Sequence, residues 1–106
     1  MDIYTLTDMQ YKALKHSSGV TSEDGEATNI CIAEPDPRGT QEERDAQIAQ
    51  MKEFDDLVSL RLMKDISKLN EEGINKFVAQ WGFGLRFFLI TERGLAMFKR
   101  EHLVVN

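Results

Sequence analysis

The sequence has little cysteine, and this scarcity excludes two ways of stabilising a small protein. Cys31 is the one cysteine among 106 residues, so no intramolecular disulfide forms and no multi-cysteine metal site can assemble. A chain of this length buries a sufficient core without such cross-links, and we expect a single domain over residues 1–106. A lone cysteine also suits a reducing compartment.

Long apolar runs are missing as well. None approaches the roughly 20 residues that a membrane-spanning helix needs, and a content of 42% hydrophobic and 29% charged residues is that of an ordinary globular protein. Residues Met1 to Thr5 carry neither the basic leader nor the apolar stretch of a secretion signal. These features predict a protein without a membrane span, located in the cytoplasm.

Proline is scarce too, and both prolines fall within "EPDPRGT", residues 34–40. This segment is the clearest turn or linker in the chain. Before it, Thr7-Asp8-Met9-Gln10 fits a capping box and predicts a helix to about His16, followed by a polar loop over residues 17–25. The β-branched run from Thr28 to Ala33 predicts a short strand, with Cys31 as a small core residue rather than a reactive thiol.

A long helix is predicted from the cap at Thr40 to about Leu60. One apolar stripe along it predicts a core face: Ala46, Ala49, Phe54, Leu57 and Val58. After this helix, residues 62–67 fit either a short strand or an irregular exit. Between Asn70 and Gly82 the pattern fits either a wing-like hairpin tip or a helix, and we favour the helix, with Asn70 as its cap and Gly82 just past its end.

The last elements are a strand and a helix with one residue between them. Leu85 to Ile90 is apolar on both faces, as in a central or covered strand. Thr91 then caps a final helix from Glu92 to about His102, which is basic toward its end. Gly94 allows the first turn of that helix to approach neighbouring backbone closely.

This second half of the chain resembles winged-helix domains of small bacterial and phage regulators. Leu57-Val58 is similar to the start of their "Leu-Val-x-x-Gly-Leu" phrase, which ends a helix before the first wing strand. Residues 89–94, "LITERG", resemble their "Leu-Thr-x-x-Gly" junction with one inserted residue. Arg61 stands where these domains usually carry a helix-ending glycine, so it must take the left-handed conformation or end the helix differently. The resemblance implies an α+β fold, a degenerate winged helix with about four helices and a small two- or three-stranded antiparallel sheet.

Catalytic and metal-binding patterns are weak in this sequence. Adjacent acids such as Asp55 and Asp56 point away from each other on a helix and predict a solvated face rather than a carboxylate pair. His16 and His102 have no second histidine or cysteine nearby and fit helix-end charges. "WGFG" lacks the residues that complete a phosphate loop. We therefore expect no enzyme, no cofactor and no metal.

The charge distribution separates two remaining hypotheses. Residues 21–60 carry 11 acids and 3 bases, a net charge of −8, whereas residues 61–106 carry 5 acids and 8 bases, a net charge of +3. A DNA-binding regulator would place amide and guanidinium groups of the long helix on base edges and later basic groups on phosphates. The candidates for these contacts are Gln41, Arg44, Gln47, Gln50, Lys64, Lys68, Lys76 and Arg86. The acids of the same helix would repel the phosphate backbone.

The second hypothesis is a protein-interaction module on a winged-helix-like scaffold, binding a protein partner or a second copy as a homodimer. Its docking candidates are Trp81 and Phe83, in the apolar 74–83 segment, and Asp55 and Asp56, in the acidic middle. Trp81 and Phe83 suit an interaction hot spot, although their pattern favours core packing. The charge distribution favours this second hypothesis, and the resemblance adds that a small phage or prophage protein would fit it.

Overall fold

The computed structural model describes residues 5–20 and 23–105, with side chains as far as residue 98. Four helices and three strands follow one another along this part of the chain, in agreement with the expected α+β class. The expected basic side chains at the end of the last helix, those of Lys99, Arg100 and His102, lie outside the described side chains. In order, the elements are α1 (Asp8–Ser18), β1 (Ile30–Ala33), α2 (Gln41–Ser59), β2 (Met63–Asp65), α3 (Glu71–Trp81), β3 (Leu85–Ile90) and α4 (Glu92–Val105).

The three strands form one antiparallel sheet with β3 in the middle, as its apolar pattern predicted. Cys31 pairs with Phe87 on one side, and Lys64 pairs with Leu89 on the other. Because partners in antiparallel strands point to the same face, these four side chains share the outer face of the sheet. The sheet therefore turns Phe88 and Ile90 toward the core.

The core lies between the inner face of the sheet and the helices α1, α2 and α4. The rings of Phe54 and Phe88 meet with their centres 4.9 Å apart, and both side chains are buried. Tyr11 of α1 contacts Phe98 of α4 in the same way, at 5.7 Å. The other buried apolar side chains are Ala13, Leu14, Ile32, Leu57, Leu62, Met63 and Ile90.

Helix α1 begins with the predicted capping box, since Thr7 and Gln10 exchange both hydrogen bonds. Its predicted end near His16 was two residues short, because Gly19 takes the left-handed conformation (φ 81°) and closes the helix after Ser18. Ser17 belongs to the helix, not to a polar loop, and is fully buried. Its Oγ donates to the carbonyl of Thr28 at 2.8 Å and accepts from the amide of Ile90 at 3.0 Å, which joins α1 to β3 and to the approach to β1.

Helix α2 begins at the predicted cap, where the hydroxyl of Thr40 accepts a hydrogen bond from the amide of Glu43. The predicted core face is only half correct. Phe54 and Leu57 are buried, but Ala46 and Ala49 are exposed. The physical reason is length: 19 residues rise roughly 28 Å, which is more than strands of three to six residues can cover. The first half of α2 projects beyond the core.

The junction before α4 has the geometry expected from the sequence. Arg61 takes the left-handed conformation, with φ at 63°, where the helix α2 gives way to β2. The hydroxyl of Thr91 accepts a hydrogen bond from the amide of Gly94 and so caps α4. A Cβ on Gly94 would lie 2.5 Å from the carbonyl oxygen of Leu62, so only glycine fits this contact without movement of the backbone.

Candidate functional site

Helix α3 carries a continuous apolar stripe that includes two exposed large side chains, those of Val78 and Trp81. Four side chains at helical spacing, Ile74, Phe77, Val78 and Trp81, form one face of this helix, here called the α3 face. The helix has no buried residue among its eleven, although its apolar stripe is the type that normally packs into a core. The expectation that Trp81 packs into the core was therefore wrong.

Exposure within the α3 face increases toward its outer edge. Ile74 and Phe77 are half-buried, whereas Val78 is 41% and Trp81 47% exposed. Phe77 links the aromatic groups, with its ring centre 6.2 Å from that of Trp81 and 5.2 Å, edge to face, from that of Phe83. Phe83 itself is half-buried. The three aromatic rings thus pack against one another, and the ring of Trp81 is the one most exposed to solvent.

The position of α3 in the fold explains this exposure. The helix connects β2 to β3 and contacts the preceding 3₁₀ turn (Ser67–Asn70) and β3, while α1, α2 and α4 close the core. Asn70 makes no side-chain cap, contrary to the prediction, because the 3₁₀ turn runs directly into the helix and the amide of Glu71 donates to the carbonyl of Lys68. Gly82, in the left-handed conformation, ends the helix as predicted. Both ends of α3 are held, so its apolar face has a defined shape.

Opposite charges stand at the two ends of the α3 face. Glu71, which is exposed, precedes Ile74 and Val78 by three and seven residues and therefore lies beside them at the N-terminal end. At the C-terminal end, the guanidinium of Arg38 donates a hydrogen bond to the carbonyl oxygen of Trp81. The Arg38 side chain is 63% exposed. The face therefore has an acid at one end and, at the other, an exposed guanidinium that is also paired with Asp36.

Arg38 is held in this place by the linker that the sequence predicted over residues 34–40. The amide of Arg38 donates to a carboxylate oxygen of Asp36 at 2.9 Å, and its Nε lies 3.2 Å from the same oxygen. The hydrogen bond from the Arg38 amide, with the charge of its side chain, lowers the pKa of the Asp36 carboxyl. The linker is thus an ordered turn that carries a cation to the end of α3.

Two residues that were predicted to contact DNA, Arg44 and Gln47, instead attach the same linker to the first half of α2. The amide of Asp36 donates to the side-chain oxygen of Gln47 at 3.0 Å. The guanidinium of Arg44 donates to the carbonyls of Pro37 and Gly39. These side chains hold the linker within the molecule. These contacts between the linker and α2 were not predicted from the sequence, in which the available signal was the turn-forming "DPRG" next to a helix with amide and guanidinium groups.

The remaining predicted DNA contacts on α2 lie at the exposed end of the helix. Gln41 donates to Asp45 at 2.8 Å and accepts from Arg44 at 3.1 Å. Gln50 is exposed and lines a shallow groove of about 600 Å³ between the start of α1 and the first half of α2. Gln41, Arg44 and Gln47 are thus engaged within the molecule.

The basic candidates after α2 do not form one surface. Lys64 lies on the outer face of the sheet and Lys68 in the 3₁₀ turn, where it lines a shallow groove that Arg86 also borders. Lys76 lies on α3, with its ammonium 3.5 Å from the carboxylate of Glu72. Exposed pairs of this kind contribute little to stability. The structure therefore brings Lys68 and Arg86 near one another and leaves the others apart.

Arg86 forms the densest ion cluster among the described residues. Its Nη2 lies 3.0 Å from Asp55 and 2.9 Å from Asp65, and its side chain is 23% exposed. The guanidinium also stacks over the Phe88 ring at 4.8 Å. Burial opposes charge on Asp65, but hydrogen bonds from Ser67 and Arg86 outweigh it and lower the pKa of this carboxyl. Two carboxylates thus neutralise the arginine expected to contact phosphate.

The acidic docking candidates have different surroundings. Asp55 accepts a hydrogen bond from Arg86 and so belongs to the Arg86 cluster. The neighbouring Asp56 is exposed to solvent, as predicted. Asp55 and Asp56 belong to α2, on a different element from Trp81 and Phe83. The predicted protein-binding residues therefore fall into an aromatic group at α3 and an acidic group on α2.

Cys31 is exposed, which corrects its prediction as a core residue. Its neighbour Ile32 is buried, and alternation along β1 turns Cys31 to the outer face of the sheet. Partial burial raises the pKa of the Cys31 thiol, so the reactive thiolate is disfavoured.

Two further properties concern the described part of the chain. Across residues 5–20 and 23–105 no helix combines the length and hydropathy that a bilayer span requires. The same residues bring together no group of three or more histidine, cysteine or carboxylate side chains able to hold a metal ion. Comparisons with protein-family models, with curated proteins and with solved structures gave no match.

Proposed function

We propose that this chain is a non-enzymatic protein-interaction module that docks through the α3 face on a winged-helix-like scaffold. The observation that carries the proposal is the exposure of Val78 and Trp81 on a helix whose ends are held in place. Large contiguous apolar patches are uncommon on monomeric proteins, and the largest patch on a protein is often a site of association. Tryptophan in particular is enriched where interfaces derive most of their binding energy.

The aromatic cluster supports this function through its rigidity. Phe77 packs against both Trp81 and Phe83, so the exposed ring of Trp81 is oriented before a partner arrives. A side chain that is already ordered loses less conformational entropy on binding. Removal of such an anchor costs about 2 kcal/mol of binding free energy or more at interaction hot spots.

The scaffold part of the proposal draws on the second half of the chain. β2 and β3 pair antiparallel, as the two strands of a wing do, and Thr91 and Gly94 form the tight junction into α4. The segment between the two strands is a helix with an apolar face instead of a plain turn. On this proposal, a position that would be a wing has become a docking helix. A cytoplasmic location, in a bacterial host for a phage-encoded protein, is part of the same proposal.

DNA binding is the alternative function, and it has weaker support. Arg86 is paired with two carboxylates, and Arg44 and Gln47 hold the linker. An exposed row of acids on α2 opposes contact with phosphates. The candidates that favour this alternative are the exposed Lys64 and Lys68, together with Lys76, which is also exposed but lies near Glu72.

A site-specific crosslinking experiment tests the proposed docking face. A photoreactive phenylalanine analogue replaces Val78 in the full-length protein, expressed in its native host and irradiated there. The matched control replaces Ile48, which is apolar and 54% exposed but lies on α2. We expect discrete protein adducts from position 78 and none from position 48.

The result that would overturn the proposal is equally direct. If position 78 yields no protein adduct, or yields the same adducts as position 48, the α3 face is not a specific docking surface. A Trp81→Ala variant that carries the analogue at position 78 provides a second check, because loss of the anchor should weaken the adduct bands while the helix, capped by Gly82, remains formed.

A further inference from the structure

We propose that the partner of the α3 face is a second copy of this chain, bound with the two α3 helices antiparallel. The inference rests on the proposed function, because it identifies the occupant of the same face. Its basis is that the face carries an acid at one end and a base at the other, Glu71 and Arg38. A two-fold rotation brings unlike ends together.

The register of the pairing follows from the spacing of residues along α3. In a two-fold symmetric pair, each contact between two positions occurs twice. A register that places Ile74 against Val78 of the second copy also places Glu71 opposite Trp81 of the second copy. Arg38 lies at the carbonyl oxygen of Trp81. One arrangement therefore joins the apolar stripes and forms two Glu71–Arg38 ion pairs.

Other charges on α3 are compatible with this arrangement. Lys76 and Glu72 form their own pair on the helix surface away from the α3 face, since neither continues the 74, 77, 78, 81 spacing. The two helix dipoles also run in opposite directions in an antiparallel pair, so each N-terminus lies near a C-terminus. At each end of the face, Glu71 of one copy then stands opposite Arg38 of the other, whose Nε is also paired with Asp36 at 3.2 Å.

The size of the face predicts a weak, concentration-dependent dimer. An eleven-residue helix is roughly 16 Å long, so the face it offers is smaller than the roughly 800 Å² per partner of a standard stable interface. We therefore expect dissociation constants in the micromolar range, on the order of 10 to 100 µM. Association at this strength responds measurably to single substitutions.

The first test is the mass of the full-length protein in solution. Sedimentation between about 10 and 500 µM should show the weight-average mass rising from 12.1 kDa toward twice that value. Val78→Glu should raise the dissociation constant about tenfold or more. Ile48→Glu, the control with similar exposure on α2, should leave it unchanged. A strict monomer at every concentration overturns the inference.

The second test is a charge exchange between the two ends of the face. Glu71→Arg alone places arginine opposite Arg38 of the second copy, and Arg38→Glu alone places glutamate opposite Glu71 of the second copy. Each variant should be monomeric by itself. A mixture of the two should associate as the wild type does, because every ion pair is then complementary. If the mixture stays monomeric, or if the single variants still dimerise, the proposed register is wrong.

The crosslinking and sedimentation results distinguish this inference from the proposed function. Adducts from position 78 with twice the mass of the chain support self-association. Adducts of another mass, together with a monomer in sedimentation, overturn self-association but support a docking face for a different protein. Absence of any adduct together with a strict monomer overturns both.

Discussion

The hydroxyl of Thr91 donates a hydrogen bond to the backbone carbonyl of Arg61 over 2.6 Å. Through this contact the residue that caps α4 also holds the left-handed residue that follows α2. The amide of Thr91 donates in addition to the carbonyl of Leu62 at 3.0 Å. One threonine thus connects the exit of a long helix with the start of the last one, and α3 extends from the scaffold built around it.

Removal of this hydroxyl should destabilise the fold. Thr91→Val keeps the shape of the side chain but loses two hydrogen bonds of the hydroxyl, the one from the amide of Gly94 and the one to the carbonyl of Arg61. We therefore expect the free energy of unfolding to fall by about 1 to 2 kcal/mol. Urea denaturation followed by circular dichroism measures the change. Thr91→Ser, which retains the hydroxyl, should lose much less. Equal losses in the two variants would contradict a role for the hydrogen bonds.

Two glycine-to-alanine substitutions should have opposite effects. A Cβ on Gly94 would lie 2.5 Å from the carbonyl oxygen of Leu62, whereas one on Gly73, within α3, would meet nothing within 4 Å. We expect Gly94→Ala to lower the free energy of unfolding by about 1 to 3 kcal/mol and Gly73→Ala to raise it by about 0.5 to 1 kcal/mol. The urea midpoints of both variants test this. The tight junction would be disproved if Gly94→Ala were as stable as the wild type.

The Arg86 cluster should make stability depend on pH in the acidic range. Because the folded-state pKa of Asp65 is lowered, its contribution is fully present above its unfolded pKa and is lost as the pH falls through the folded pKa. This places the loss below about pH 4. Arg86→Met keeps an apolar contact with Phe88 but removes the ion pairs, so part of this pH dependence should disappear.

Urea unfolding between about pH 2.5 and 7 measures this dependence. At neutral pH Arg86→Met should be less stable by about 1 kcal/mol, a value reduced for the partial exposure of the carboxylates. Lys64→Met, an exposed substitution on the adjacent strand, is the control and should follow the wild-type curve. An unchanged acid dependence in Arg86→Met would assign the lowered pKa of Asp65 to Ser67 alone.

The protein should not bind DNA at low salt. Non-specific DNA binding depends on lysine and arginine side chains that can reach phosphates. At about 50 mM salt, even a protein that binds weakly is detectable on random duplex DNA. Arg86 and Arg44 are engaged within the molecule, so we expect no shift in fluorescence anisotropy of a labelled duplex. Binding that is lost in a Lys64→Ala, Lys68→Ala double variant would instead favour the DNA-binding alternative.

Local signals in the sequence predicted the positions of the elements well. Thr7 and Thr40 begin helices, Gly82 ends one, and Thr91 separates a strand from a helix, as expected. These signals act over three or four residues, because a cap satisfies amides or carbonyls of its own helix end. They do not depend on the rest of the fold, and so a single sequence reveals them.

The candidate site was less predictable, because the spacing of apolar residues along a helix does not show whether that face packs against another element or faces solvent. The stripes of α2 and α3 look alike in the sequence, yet Leu57 is buried and Val78 is exposed. Trp81 was assigned to the core from such spacing, and Cys31 from its place in an apolar strand, yet both side chains are exposed. Contacts such as Arg86 with Asp55 join residues 31 positions apart and have no local signature.

The sequence by itself therefore determined the approximate positions of most helices and strands, the α+β class, and the need for glycine at position 94. Only the tertiary structure decided which apolar face lies outside the core and which charges stand at its ends. The physical reason is that backbone hydrogen bonds at helix ends are local, whereas burial and ion pairing depend on which elements fold against each other. Among the described residues, the buried apolar core is formed by the sheet with α1, α2 and α4, and none of the eleven residues of α3 is buried.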